Sequence, residues 1–381
     1  MRRRVLAPLL AILCSAAAHT QMAVRPIRPP AQPFPAETAS AGVSRFSFIA
    51  YGDSRCDCGS GGGPEVQTEH ARVVDGIVAK AAALASSAYP VRFVLQTGDS
   101  VYRGMNAERW DVFIPIAERM TTAGLWYFFS AGNHDVTTMP IGDVSREAGI
   151  RNTLAANAAL IPPDGSPRRL AGYATYAFGY GNTFVVVFDS NIAADRTQLA
   201  WVTRQLEGLD RQRYVNVIAV FHHPPFSSGP HGGALRPTPD RPSGPDRTEP
   251  QSLSIRSLYL PLFRAHHVRM TITGHDHLLD HWVERYDDGG KTYRIDHVVT
   301  GGGGAPTYVY NGEPNVGAYE EIGVAQKIHI EHLMKPGETV ANNPHHFVLI
   351  KVDGEKLDLE VFGTGPTDYL PYHGQSRIEL R

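Results

Sequence analysis

Five times along this chain, a run of β-branched and aromatic residues stops abruptly at a small polar motif. FSFIAY ends at Gly52-Asp53, VRFVLQ at Thr97-Gly98-Asp99, LWYFFS at Ala131-Gly132-Asn133-His134-Asp135, VNVIAVF at His222-His223, and VRMTIT at Gly274-His275-Asp276-His277. Apolar runs of this kind read as buried strands, each delivering its polar residues at its C-terminal end. Helical patterns lie between them, over roughly 69–86, 195–211 and 253–266. A further helix carries Trp110, Phe113, Ile114 and Met120, with Asn106 placed to cap it and Gly124 after its end. Strand and helix alternate, so the class is α/β. In open α/β sheets, ligands gather at the C-terminal strand ends, so the five motifs are expected to converge in space.

The rest of the chain frames this core. The N-terminus, MRRRVLAPLLAILCSAAAHTQ, has three arginines, an apolar run from Val5 to Leu13 and then Ala16-Ala17-Ala18, the pattern of a leader cut after Ala18. The run is too short to span a bilayer comfortably, and Cys14 sits in a poor lipidation context. Expected, therefore, are a signal peptide at 1–18, a secreted or periplasmic product and no stable membrane insertion after cleavage. Residues 19–42, with Pro26, Pro29, Pro30, Pro33 and Pro35, read as a linker or arm. Residues 43–381 then form one catalytic domain. Loops over the site are expected at 136–180 and at 228–252. The tail HHFVLIKVDGEKLDLEVFG alternates around Asp353-Gly354 as a hairpin does, which points to a second sheet.

Charge and cysteines exclude some classes. With 36 Lys plus Arg against 38 Asp plus Glu, the chain is no general binder of nucleic acid or anionic membranes. Cleavage leaves two cysteines, Cys56 and Cys58, so a disulfide framework does not hold the fold together. A Cys-x-Cys bridge closes a very small ring. Two packed thiols are the plainer reading, and a metal site beside Asp53 is the other.

Taken singly, Gly-Asp after a strand is a turn and His-His-Pro-Pro a loop entry. Taken together, the motifs supply Asp53, Asp99, Tyr102, Asn133, His134, His222, His275 and His277, all oxygen or nitrogen donors at strand ends. The order Asp, Gly-Asp, Gly-Asn-His-Asp, His, Gly-His-x-His resembles the calcineurin-like metallophosphoesterases. Asp-x-x-Tyr at Asp99 and Tyr102 is similar to the purple acid phosphatases, most closely their small tartrate-resistant type. That resemblance implies a four-layer α/β/β/α sandwich and two metals, a ferric ion beside a divalent Fe, Zn or Mn. Asp53, Tyr102 and His277 are then ligands of the first metal, Asn133, His222 and His275 of the second, and Asp99 the bridge. The anionic first set suits a harder ion and the neutral second set a divalent one.

The implied activity is hydrolysis of small phosphate monoesters. Two metals lower the pKa of a water, which attacks in line with the ester bond, while His134 assists the leaving group. Asp135 is expected to orient His134; the alternative makes His134 a turn histidine bonded to Asp135. Tyr102 is alternatively a wall of the site. Arg55 stands where many members of the superfamily carry a histidine and where the purple branch usually has glycine. It is either a phosphate clamp, through a planar fork of donors, or one half of a salt bridge to Asp57 or another nearby carboxylate. His223 and His231 are candidates for touching substrate. Asp189 is read as structural, and VVTGGGGAP, which lacks the Gly-Lys-Ser/Thr of a phosphate-binding loop, as close-packed backbone near the site. Two rival functions remain: a phosphodiesterase on the same metals, and a binding or scaffold protein that has lost turnover.

Overall fold

The computed structural model describes residues 23–56, 58, 63–233 and 248–380. The leader expected at 1–18, with its cut after Ala18, lies outside these residues, as does Asp57. In chain order the strands are β1 (Arg45–Tyr51), β2 (Val91–Gln96), β3 (Trp126–Phe129), β4 (Tyr176–Tyr180), β5 (Thr183–Val187), β6 (Asn216–Val220), β7 (Met270–Thr273), β8 (Leu279–Asp288), β9 (Lys291–Thr300), β10 (His329–Met334), β11 (His346–Asp353), β12 (Lys356–Gly363) and β13 (Arg377–Leu380). They form two sheets, ordered β13-β12-β11-β1-β2-β3 and β10-β8-β9-β7-β6-β5-β4.

The strands that carry the motifs are parallel within each sheet, β1-β2-β3 in one and β6-β7, beside parallel β5, in the other. Their two-residue periodicity explains the layering. Val185, Val187, Ile218 and Val220 pack with Phe46, Phe48 and Phe93 of the facing sheet. Their neighbours Phe184, Val186, Val217 and Ala219 pack outward with Trp201, Val202 and Phe263. Helices α1 (Thr68–Leu84) and α2 (Ala107–Thr122) join the core of the first sheet through Val73, Val74, Ile77 and Phe113. Both faces of these parallel strands are covered, which is why they read as unbroken apolar runs. The architecture is the expected four-layer α/β/β/α sandwich.

Four expectations need correction. The tail hairpin is present, with Asp353 opposite Lys356 and Gly354 at φ 61° in the turn. It extends the first sheet by pairing antiparallel with β1, and the second sheet is built from β4 to β10. Asn106 sits at the N-cap of α2 in an extended conformation, but its side chain makes no capping hydrogen bond. The helix expected over 253–266 is a composite, Pro250–Ser254, a π turn at Ile255–Tyr259 and Leu260–Ala265; Pro261, with no N–H to donate, sits just past the widened turn.

The fourth correction concerns the proline-rich stretch, which from Ala23 onward is a packed arm rather than a free linker. Ile27 is fully buried. Phe34 lies edge-on to Phe128 at 5.1 Å and to Phe178 at 5.6 Å, one residue from each sheet. Arg25 and Arg28 converge on Glu118 at 2.6 and 2.9 Å. Among the described residues, no helix is long and apolar enough to cross a membrane.

Candidate metal centre

The loops leaving β1, β2 and β3 meet those leaving β6 and β7 where the C-terminal ends of the two sheets adjoin. Asp53, Asp99 and His275 each adopt a left-handed backbone, with φ of 59°, 56° and 73°. That conformation costs a residue with a side chain about 1–2 kcal/mol, and such strain persists where surrounding structure enforces it, commonly at functional sites. Glycine is required beside these residues. A Cβ on Gly132 would collide with the carboxylate and backbone of Asp99, and one on Gly274 with the carboxylate of Asp53.

One group of donors is short of protons. Asn133 Oδ1 lies 2.9 Å from His222 Nε2 and 3.1 Å from His275 Nδ1. The two nitrogens are 3.1 Å apart, and Asp99 Oδ1 is 3.4 Å from His222 Nε2. His222 Nδ1 faces the Thr97 carbonyl at 2.9 Å, and His275 Nε2 faces the Glu249 carboxylate at 2.8 Å. Both partners are acceptors, so each imidazole directs its N–H away from the group. Burial pushes His275 down to about 4 and His222 below the ordinary range, keeping both rings neutral near pH 7. Four lone pairs therefore converge without a hydrogen between them. A divalent cation that accepts nitrogen and oxygen ligands relieves that repulsion. These residues fit a metal.

A second group shares Asp99. His277 Nε2 lies 3.6 Å from Asp53 Oδ1, and its Nδ1 donates to the Pro306 carbonyl at 2.8 Å. Burial, then the charge of Asp99, pushes the Asp53 carboxyl well up. Although burial opposes it, Asp99 is held low, with the Arg55 guanidinium and the His134 backbone N–H bearing on its carboxylate. Arg55 reaches into this second group, its Nε 3.4 Å from Asp99 Oδ2 and its Nη2 3.5 Å from His277 Nε2. The ring of Tyr102 lies below the guanidiniums of Arg55, Arg103 and Arg109, at 5.5, 5.6 and 5.4 Å.

His134 stands at the edge of a cavity of about 360 Å³ lined also by Tyr102, Arg103, Met105, Thr137 and Ser145. Its backbone N–H donates to Asp99 Oδ1 at 2.9 Å and its Nδ1 to the Tyr102 carbonyl at 2.8 Å. Asp135 is not the orienting partner expected. Its carboxylate is fully engaged by the backbone N–H groups of Ser100, Val101 and Gly132 at 2.9, 3.3 and 3.0 Å, tying the second and third motif loops together. His223 is buried, with Nδ1 on Ser190 Oγ at 2.8 Å. It lies behind His275 rather than in the mouth. His231 is at the rim, its ring 4.2 Å from that of His275. Asp189 serves structure, accepting from Arg146 and from the Asn191 N–H. The glycine run is close-packed, with Gly303 N–H on the Gly52 carbonyl at 2.7 Å and Ala305 N–H on that of Asp53 at 2.8 Å.

Sequence reasoning missed three acidic residues. Glu249 holds His275 and, at 2.9 Å, His231, and with His223 and His275 it forms one group able to hold a metal; Asp53, Asp99 and His222 form another. Asp276 shapes the loop beneath His231 by accepting from Ser227 Oγ at 2.6 Å and the His231 N–H at 3.2 Å. Glu65 accepts from the N–H groups of Cys56 and Tyr102 and from Arg109 at 2.8 Å. Asp276 is the variable position of Gly-His-x-His, Glu65 belongs to no motif, and Glu249 sits in a proline-rich loop with no periodicity. Cys56 and Cys58 are joined as a disulfide, correcting the reading of two free packed thiols.

A family profile described as calcineurin-like phosphoesterase matches residues 69–279, more than half of the chain. The chain belongs to that family. The match takes in the motifs from Asp99 to His277 of this chain and begins beyond the Asp53 and Arg55 loop. In structure, the chain is similar to a purple acid phosphatase from yellow lupin (Lupinus luteus) seeds, with a TM-score of 0.57 and 16% identity over 90% of this chain and 55% of that one. It thus spans about half the length of the lupin enzyme. It is also similar to GAP50, the anchor in the inner membrane complex of Plasmodium, with a TM-score of 0.51 and 13% identity over 89% of each chain. A search of the curated proteins finds no match.

Proposed function

We propose that this chain hydrolyses small phosphate monoesters at a metal held by Asp99, Asn133, His222 and His275. The observation that carries this reading is the meeting of four lone-pair donors whose protons are all directed elsewhere. A divalent cation there supplies Lewis acidity toward a phosphoryl oxygen. The remaining work falls to side chains. Asp99 carries negative charge into the centre, and its contact with the His134 N–H keeps that residue beside it. With Nδ1 on a carbonyl, His134 has Nε2 available to hold a proton for the departing alkoxide. The cavity of about 360 Å³ beside it has room for a leaving group.

The acid phosphatase assignment, with Asp53, Tyr102 and His277 as ligands of a ferric ion, is the finer form of this proposal and rests on the resemblance of motifs. Export rests on the leader pattern, and the Cys56–Cys58 disulfide is in keeping with an oxidising compartment. A scaffold reading has one observation in its favour: a protein of this fold serves as an anchor in Plasmodium.

The decisive experiment strips the protein with chelator, restores single divalent metals, and compares chromogenic mono- and diesters with His134→Ala as control. Metal-dependent monoester turnover that collapses in the control is expected. Preference for the diester would replace the substrate assignment, and metal binding without turnover on either would favour the scaffold.

A further inference from the structure

The two donor groups that share Asp99 differ in one respect: the group around Asn133 has no positive charge inside it, and the group around His277 already has one. His277 directs its Nδ1 proton to the Pro306 carbonyl, leaving Nε2 a bare acceptor 3.6 Å from the Asp53 carboxylate. Into that acceptor set comes Arg55, with Nε on Asp99 Oδ2 at 3.4 Å and Nη2 on His277 Nε2 at 3.5 Å. Its third nitrogen, Nη1, is 3.4 Å from the Cys56 carbonyl. The side chain is only 12% exposed, so this is an inserted cation rather than a surface arginine lying across an opening.

Its surroundings hold it there. The residue that follows, Cys56, is fixed by the disulfide to Cys58 and by Glu65, which accepts its N–H at 3.0 Å. Glu65 also fixes Arg109 and the backbone of Tyr102. The Tyr102 ring lies under the Arg55 guanidinium as a cation–π platform. A guanidinium does not deprotonate in proteins, so it is a permanent charge. A metal ligated by Asp53, Asp99 and His277 and a guanidinium bonded to two of the same three residues compete for one place.

The geometry points to a mononuclear centre in which the Arg55 guanidinium stands in place of the first metal, leaving one divalent cation at Asp99, Asn133, His222 and His275. This inference rests on the metal-dependent reading above and departs from its two-metal form. Arg55 then answers the need of the His277 group for positive charge with hydrogen bonds, and Asp99 and His277 act as its seat.

The test is metal stoichiometry, read independently of activity. Protein stripped and saturated with Mn(II) is examined by elemental analysis, native mass spectrometry and electron paramagnetic resonance. Wild type is expected to hold one ion per chain with the six-line spectrum of isolated Mn(II). Arg55→Gly, which empties the place while keeping Asp53, Tyr102 and His277, is expected to hold two, with an exchange-coupled spectrum. Arg55→Lys separates loss of charge from loss of the fork: retention of one ion is expected, since an ammonium still occupies the place. Two ions in wild type, or one in both wild type and Arg55→Gly, would overturn the role given to Arg55. No bound ion in either protein would overturn the metal-dependent reading itself.

Discussion

The carboxylate of Glu249 holds Nε2 of His275 at 2.8 Å, and this contact sets which ring nitrogen His275 presents to Asn133 and His222. Carboxylates behind metal-binding histidines fix the tautomer and raise ligand basicity. Glu249→Ala is therefore expected to weaken metal binding by roughly 10–100-fold, measured by competition with a fluorescent chelator. Because the Glu249 side chain is 30% exposed, the metal-free fold should lose little stability. Unchanged affinity would remove Glu249 from the centre.

His134→Ala is expected to keep the metal and lose turnover by roughly 10²–10⁴-fold, the range of a lost general acid. Steady-state kinetics with metal content measured on the same sample provide the check. Loss of the metal in step with activity would show that the His134 side chain supports the centre through Asp99, whose Oδ2 lies 4.0 Å from its Nε2.

Tyr102→Phe is expected to leave metal stoichiometry and the visible spectrum of iron-loaded protein unchanged, because Arg55 holds the place in which the phenol would meet a ferric ion. Iron-loaded Arg55→Gly is the contrasting case, in which a tyrosinate charge-transfer band should develop and disappear again in the Arg55→Gly, Tyr102→Phe double variant. A wild-type band removed by Tyr102→Phe would restore the two-metal assignment.

Glu65 and Arg109 form a buried ion pair at 2.8 Å, with side chains 1% and 6% exposed. Removing one partner of such a pair leaves the other charge uncompensated, at a cost of ~3–5 kcal/mol. Glu65→Ala is thus expected to lower unfolding free energy by that amount in urea titrations under non-reducing conditions. A change below ~1 kcal/mol would mean that the Arg109 guanidinium finds other partners, such as the Gly63 carbonyl it already meets at 3.0 Å.

His70 makes part of the acid sensitivity of the fold. It is fully buried, stacked on Phe113 at 5.3 Å, and burial pushes it down to about 3. Unfolded, the same imidazole titrates near ~6.5. Between these values the unfolded chain binds the extra proton, so stability falls as pH drops below ~6.5 and is unaffected by this group above it. Each pH unit in that window should cost ~1.4 kcal/mol through His70. In His70→Phe that part of the slope should vanish, whatever the variant's absolute stability, when denaturation is followed from pH 7 to pH 4.

The sequence by itself determined the chemistry at the strand ends. An apolar strand must stop where its backbone leaves the sheet, and Asp53, Asp99, Asn133, His222, His275 and His277 stand just past those stops. Their identity as donors and their meeting near one edge were legible because strand periodicity is local, and so was the turn at Gly354. Only the tertiary structure decided how the motifs divide, three strands to one sheet and two to the other, and that the tail pairs with β1. It alone placed Glu249 behind His275, gave the carboxylate of Asp135 to three backbone N–H groups, packed Phe34 between the sheets and directed Arg55 onto Asp99 and His277. Apart from the Gly132 N–H three positions from Asp135, these contacts join residues from tens to more than two hundred positions apart. They depend on loop paths and side-chain directions that no local pattern of hydrophobicity encodes.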